Sequence, residues 1–418
     1  MSETKTVTPK PTLLAVIAPG ILIAATGVGA GDLATASFAG SQLGLAILWA
    51  VIVGGILKFV LTEGLARWQL STGETFLEGL ASHFGRSIGW LFLPYLLLWS
   101  FFVGSALMSA CGVTLHAIFP IFSDASEAKI VFGILCSIAG LALVLIGGFK
   151  LFEKIMAVCI GLMFTTVLIT AALLWPGTAE VLQGLIIPSI PHADGQGITW
   201  TVALIGGVGG TLTILCYGYW IREKGRTQSH DIAICRIDLS IGYLMTIAFG
   251  IAMVIIGSTV EIDGKGAGLL VTLADKLEEP LGPIGRWVFL LGAFGAVFSS
   301  LIGVWQAVPY LFSDIWRLFL RQNISASTSI DTKALPYRSY LFALAFVPMI
   351  GLLISFKEVQ KLYAVIGAAF IPLLAIALLI MNSKKELLGQ HINRWPSISL
   401  LISAVVFFGG MAWQKWMA

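Results

Sequence analysis

The chain has 418 residues, of which 57% are hydrophobic and only 11% charged, with a formal net charge of +3. A soluble globular domain carries about 25% charged residues, so an ordinary wetted surface is excluded. The small positive excess calls for no nucleic-acid partner. Five cysteines without C-x-x-C spacing describe neither a disulfide framework nor a zinc site.

Apolar runs of bilayer-spanning length recur along the chain. In lipid every backbone amide must be satisfied within its own segment, so these runs are predicted to be helices. Eleven are predicted, after a polar tail over 1–12. The first five are Leu13–Phe38, Ala46–Thr62, Ile88–Val113, Ile130–Ile146 and Leu151–Trp175. The rest are Ile198–Trp220, Leu239–Val260, Ile284–Pro309, Tyr340–Ile354, Tyr363–Met381 and Ile398–Trp413. The first run is too long for a signal-peptide core and reads as an uncleaved span. Placing the N-terminus in the cytoplasm puts most lysines and arginines inside, among them Lys10, Lys58, Arg67, Arg222, Arg226 and Arg317. Gly266–Leu277 has apolar residues at helical spacing and reads as a short amphipathic helix on the outer face. Ser325–Ser329 is a polar linker, and no separate soluble domain is visible.

Two runs carry glycine clusters about half a membrane deep: Thr26-Gly27-Val28-Gly29-Ala30-Gly31-Asp32 and Gly206-Gly207-Val208-Gly209-Gly210-Thr211. Each glycine weakens a helix by about 1 kcal/mol relative to alanine, so both segments invite interruption. Irregular backbone at membrane depth is tolerated only inside protein or along a water-filled cavity. Interrupted segments at matching places in two halves point to a secondary-transporter binding site. Close helix packing is the alternative, and it is the reading taken for Gly54-Gly55 and Gly147-Gly148. Asp32 favours a site, because it is the only acid the predicted boundaries place deep within a span. One carboxylate, freed carbonyls and the Thr213 hydroxyl would suit a hard divalent cation.

The residues around both interruptions resemble the NRAMP family of divalent-metal transporters. Pro19-Gly20, Ala34-Thr35 and Ala39-Gly40 carry the likeness, as do Ala66-Arg67, Thr72-Gly73 and Asn382-Ser383-Lys384-Lys385. The resemblance implies an all-α membrane protein with a LeuT-type 5+5 inverted repeat, spans one and six being discontinuous. The transport core would cover 13–381, with halves 13–175 and 198–381, and 396–415 would be an additional helix. The family's D-P-G-N motif aligns with Gly29-Ala30-Gly31-Asp32, so glycine stands at its aspartate position. Its A-x-x-M-P-H motif aligns with Gly210–Leu215, placing Thr213 at the methionine and Leu215 at the histidine. Backbone-carbonyl ligands would fall at Thr26 and Gly210. Without the soft thioether the site should tolerate Mg²⁺ as well as Mn²⁺.

The expected substrate site is therefore Asp32, Thr26, Gly29, Gly210 and Thr213, with Asp32, Thr26, Gly210 and Thr213 as metal ligands. Secondary candidates are Thr211, Cys216, Tyr217, Ser299 and Ser300. Helix serines usually bond back to their own helix, and a buried cysteine usually packs. Acids are absent from Pro94–Gly112 and bases from Tyr340–Ile354, so weak or no proton coupling is expected. The expectation is a divalent-cation transporter in the plasma membrane, with no cofactor, no enzymatic activity and no required oligomer; a monomer is compatible. A symporter of an amino acid or similar zwitterion on the same fold is the alternative.

Overall fold

The computed structural model describes residues 19–22, 24, 26–85, 87–193, 195–261, 266–320 and 330–417. The predicted tail over 1–12 and the Ser325–Ser329 linker lie outside the described residues. Regular structure among the described residues is entirely helical, as predicted. Nine helices there are long and apolar enough to cross a membrane, or ten if a bent pair at 164–186 counts as one span. The expected count of eleven is not confirmed among the described residues. One run over Gly31–Thr72 carries the end of the first predicted span and all of the second. The predicted fourth and fifth spans lie in one helix, Ala125–Leu173.

Gly44 separates the first two spans, with a left-handed φ of 66° that a side chain would resist. Helix Leu48–Thr72 then continues past the predicted end at Thr62. Continuation is possible because its charged residues find partners instead of water. Glu63 pairs with Arg67 at 3.2 Å and with Arg236 at 2.8 Å. Arg67 also donates to Asn393 Oδ1 and to the His391 carbonyl. An i,i+4 pair at a span end is ordinarily a plain interfacial one; here it ties three distant segments together. Gly73 ends the helix with φ 78°, and a reciprocal Thr75–Glu78 capping box starts the next.

Other expectations shift in detail. Leu269, Leu270, Leu273, Ala274 and Leu277 form a buried apolar stripe, so the amphipathic segment is present. It runs into span eight within Leu269–Ile315, turning at Gly282 with φ 65°. Cys235, which precedes the predicted start of span seven at Leu239, is buried in helix Ile232–Ser258. Trp90, Trp175, Trp287 and Trp413 are exposed, consistent with interface anchors. Trp68, Trp99, Trp200, Trp220 and Trp305 instead fill the core.

The two glycine clusters behave differently. In span one the α-helix gives way to π-helical turns over Val28–Thr35, so the helix widens without unwinding. Span six has a true break. Helix Gln196–Gly207 ends, and Val208–Thr211 are non-helical, with φ 70° at Gly209 and 75° at Gly210. A 3₁₀ turn over Leu212–Cys216 and helix Tyr217–Glu223 follow. The π-helical stretch lies at the centre, touching the first half of span six, Ile232–Ser258, Leu269–Ile315 and Phe356–Ala368.

Candidate functional site

Glycine brings the interrupted spans into backbone contact. A Cβ on Gly27 would lie 2.5 Å from the Gly209 carbonyl carbon and the Gly210 nitrogen. One on Gly31 would lie 2.2 Å from the Gly207 oxygen. No larger residue fits at either position, so packing and site formation are the same event here. Gly54 likewise lets span two approach the Ile205 backbone, as its packing role predicts, and Gly55 meets the Ile247 side chain. The side chains around Gly147-Gly148 lie outside the described residues.

Asp32 is fully buried where these segments meet. Its Oδ2 accepts a 3.1 Å hydrogen bond from the Gly209 amide, an N–H freed by the break. Its Oδ1 has no hydrogen-bond partner among the described residues. That oxygen faces Gly250 in span seven, 3.6 Å from where a Cβ would be. An unmatched carboxylate oxygen in a dry interior is costly, and a bound cation would relieve that cost.

The other expected residues gather around the same contact with unequal roles. Thr213 Oγ1 lies against Gly210, 2.4 Å from the Cβ that glycine lacks. The Thr26 hydroxyl donates to the Leu22 carbonyl within its own span at 3.0 Å. Gly29 faces span eight, where its amide donates to Ser300 Oγ at 2.8 Å. Thr211 is held by Trp99 Nε1 at 2.6 Å. Ser299 bonds back to the Ala296 carbonyl, the ordinary fate of a helix serine.

Two secondary candidates point elsewhere. Cys216 Sγ is directed at the Ala307 carbonyl, 3.6 Å away. Tyr217 donates to Asp238 Oδ2 at 2.7 Å in a separate cluster, because the helix after the break turns that face toward span seven. Asp238 and Asp314 are buried as well, so Asp32 is not the only acid within a span. The predicted boundaries at Leu239 and Pro309 had placed both just outside.

The main correction concerns Lys58. As a topology charge at the cytoplasmic end of span two it would be wet, but it is completely buried in the middle of Leu48–Thr72. Its ammonium donates to the Gly206 carbonyl at 2.5 Å and to the Val208 carbonyl. It also interacts electrostatically with Asp32. Beside it the Thr62 and Tyr243 hydroxyls share a 2.7 Å hydrogen bond, and Thr62 donates to the Lys58 carbonyl. Composition hides this lysine, since a charge near the end of an apolar run looks like a topology signal. The flanking Ile56-Leu57 and Phe59-Val60-Leu61 were the available clue.

Among the described residues no three His, Cys, Asp or Glu side chains converge. A cation here would meet one carboxylate and neutral oxygens, a hard and sparsely charged donor set.

The comparisons agree with this architecture. The chain is 24% identical over 422 residues to the divalent metal cation transporter MntH of Bacillus subtilis, covering 94% of this chain and 90% of that one. A solved Eremococcus coleocola manganese transporter, bound to an aromatic bis-isothiourea compound, superposes with a TM-score of 0.71. That match has 16% identity and covers 97% of this chain and 87% of the other. MhsT in complex with L-phenylalanine gives a TM-score of 0.63 at 16% identity, covering 95% and 96%. With residues 20–415 matching the natural resistance-associated macrophage protein-like family, the chain belongs to that family.

Proposed function

We propose that this protein carries a divalent metal cation across a membrane by alternating access, with Asp32 as its charged ligand. The carrying observation is the buried Asp32 carboxylate at the break in span six, one oxygen held by Gly209 and the other unpartnered. Membership in the family and likeness to a divalent metal cation transporter support a metal as the substrate. Thr26, Gly210 and Thr213 would complete an oxygen-rich site suited to Mn²⁺ or Mg²⁺. The two halves 13–175 and 198–381 would form the moving core. Helix Trp395–Met417 lies at its margin with Trp395, Ile402, Val406 and Trp413 exposed, in keeping with an addition. The loop charges support a cytoplasmic N-terminus for a protein placed in the plasma membrane, and the uncharged stretches of spans three and nine support weak or absent proton coupling.

The amino-acid reading loses support at the same atom. A substrate carboxylate would seek a freed amide at the break, but Gly209 N–H is already taken by Asp32.

Calorimetric titration of the purified protein with Mn²⁺, Mg²⁺ and Ca²⁺ tests the proposal. Binding should be saturable in the native protein and fall at least about 100-fold in Asp32→Ala, since a charged ligand is lost. Equal binding by both proteins would remove Asp32 from the site. Amino-acid binding without any divalent binding would establish the alternative.

A further inference from the structure

The first half of span six ends with carbonyls that have lost their helical partners, and a helix C-terminus carries partial negative charge. Such carbonyls beside a carboxylate form a cation cradle. Here the cradle holds an ammonium that belongs to the chain: Lys58 Nζ takes the Gly206 and Val208 oxygens. Its reach is built in, because Gly54, one turn earlier, brings span two against Ile205. We propose that Lys58 is a tethered cation that fills this cradle and sets which ions Asp32 can hold.

The effect is electrostatic and rests on the divalent-cation reading of Asp32. Asp32 and Lys58 are buried groups of opposite charge type at the same break, Asp32 on the Gly209 amide and Lys58 on the Gly206 and Val208 carbonyls. The titratable side chains that also interact with Asp32, Tyr243 and Tyr363, are hydroxyls. The pair is close to neutral before any substrate arrives. A dication bound to Asp32 then meets an uncompensated positive neighbour in a medium where charges interact strongly. The site should hold divalent ions more weakly than its carboxylate alone would. It should tighten when the ammonium is removed, and the emptied carbonyls should accept a free monovalent ion.

The test uses the full chain in detergent and reads thermal stabilisation against Mn²⁺, Mg²⁺ and Na⁺, with choline as the ionic-strength control. Lys58→Gln removes the charge while keeping a donor for the carbonyls, and Lys58→Met removes both. If one variant fails to fold, the other carries the test. In a folded variant the apparent affinity for a divalent ion should rise about tenfold or more. Na⁺ should stabilise it where the native protein shows no response. Both effects should vanish when Asp32→Asn is added. Folded Lys58 variants that respond to all three ions as the native protein does would overturn the proposal. Failure of the divalent reading looks different: the native protein and the Lys58 variants would all lack an Asp32-dependent response to Mn²⁺ and Mg²⁺. The tethered-cation assignment would then stand or fall on the Na⁺ response alone.

Discussion

At the scale of single residues, the alignment raises the question of why glycine stands at position 29. The structure answers with Ser300. A Cβ on Gly29 would lie 2.4 Å from Ser300 Oγ and 2.5 Å from its Cβ, so the space for an aspartate is filled by span eight. The serine also accepts the Gly29 amide, so the two positions are one unit. Gly29→Asp alone should destabilise the protein by about 1–3 kcal/mol through overpacking. Gly29→Asp with Ser300→Gly should recover most of that loss. Thermal unfolding followed by tryptophan fluorescence would measure it; a fully stable single variant would show that Ser300 yields without cost. Asp32 could be found from the sequence because a carboxylate inside an apolar run has few structural uses. Lys58 had only its apolar flanks as a clue, because its burial depends on the helix running on to Thr72, and that depends on Glu63 and Arg67 finding partners from Arg236, His391 and Asn393.

At the scale of elements, two glycine-rich segments of similar composition take different conformations. Gly27, Gly29 and Gly31 are spaced singly, and each is consumed by a close contact with a neighbouring span. Span one stays helical and keeps its amides paired by widening into π turns. Gly209 and Gly210 are adjacent and both left-handed, which interrupts the helix and frees the carbonyls to which Lys58 donates. Composition could locate both interruptions. It could not distinguish them, since the difference lies in which tertiary partners satisfy the backbone. Gly210→Ala tests the break directly. Left-handed backbone costs a residue with a Cβ about 1–2 kcal/mol, and this Cβ would also press on Thr213 Oγ1. A lowered unfolding temperature with weakened divalent binding is expected. Native stability and binding would mean that the two left-handed glycines are not needed to hold the site.

At the scale of the whole molecule, three charge clusters, each built on a buried carboxylate, lie at the end carrying the basic loops. Asp238 accepts from the Gly20 amide at 2.7 Å, Tyr217 at 2.7 Å and Arg226 at 2.9 Å, joining spans one, six and seven. Asp314 accepts from Tyr219 at 2.5 Å and Arg317 at 3.0 Å, and Arg317 also reaches Glu78. Glu63 with Arg67 and Arg236 forms the third. The proposed alternating access needs a path from Asp32 to this face, and parting of the segments joined by Asp238 would open one. Leaving one member of a buried ion pair alone costs about 3–5 kcal/mol. The intact Asp238 cluster therefore biases the protein toward closure on this side, and Asp238→Asn should shift the population toward opening. Cys235 reports on it without an added probe, since it is 1% exposed and its Sγ lies 3.9 Å from Arg226 Nη1. In a background where Cys235 is the sole cysteine, maleimide labelling in inside-out vesicles should accelerate about tenfold, corresponding to about 1.4 kcal/mol of bias removed. Unchanged labelling in a folded Asp238→Asn variant would mean that the clusters brace the helix ends throughout the cycle and that opening toward this face proceeds elsewhere.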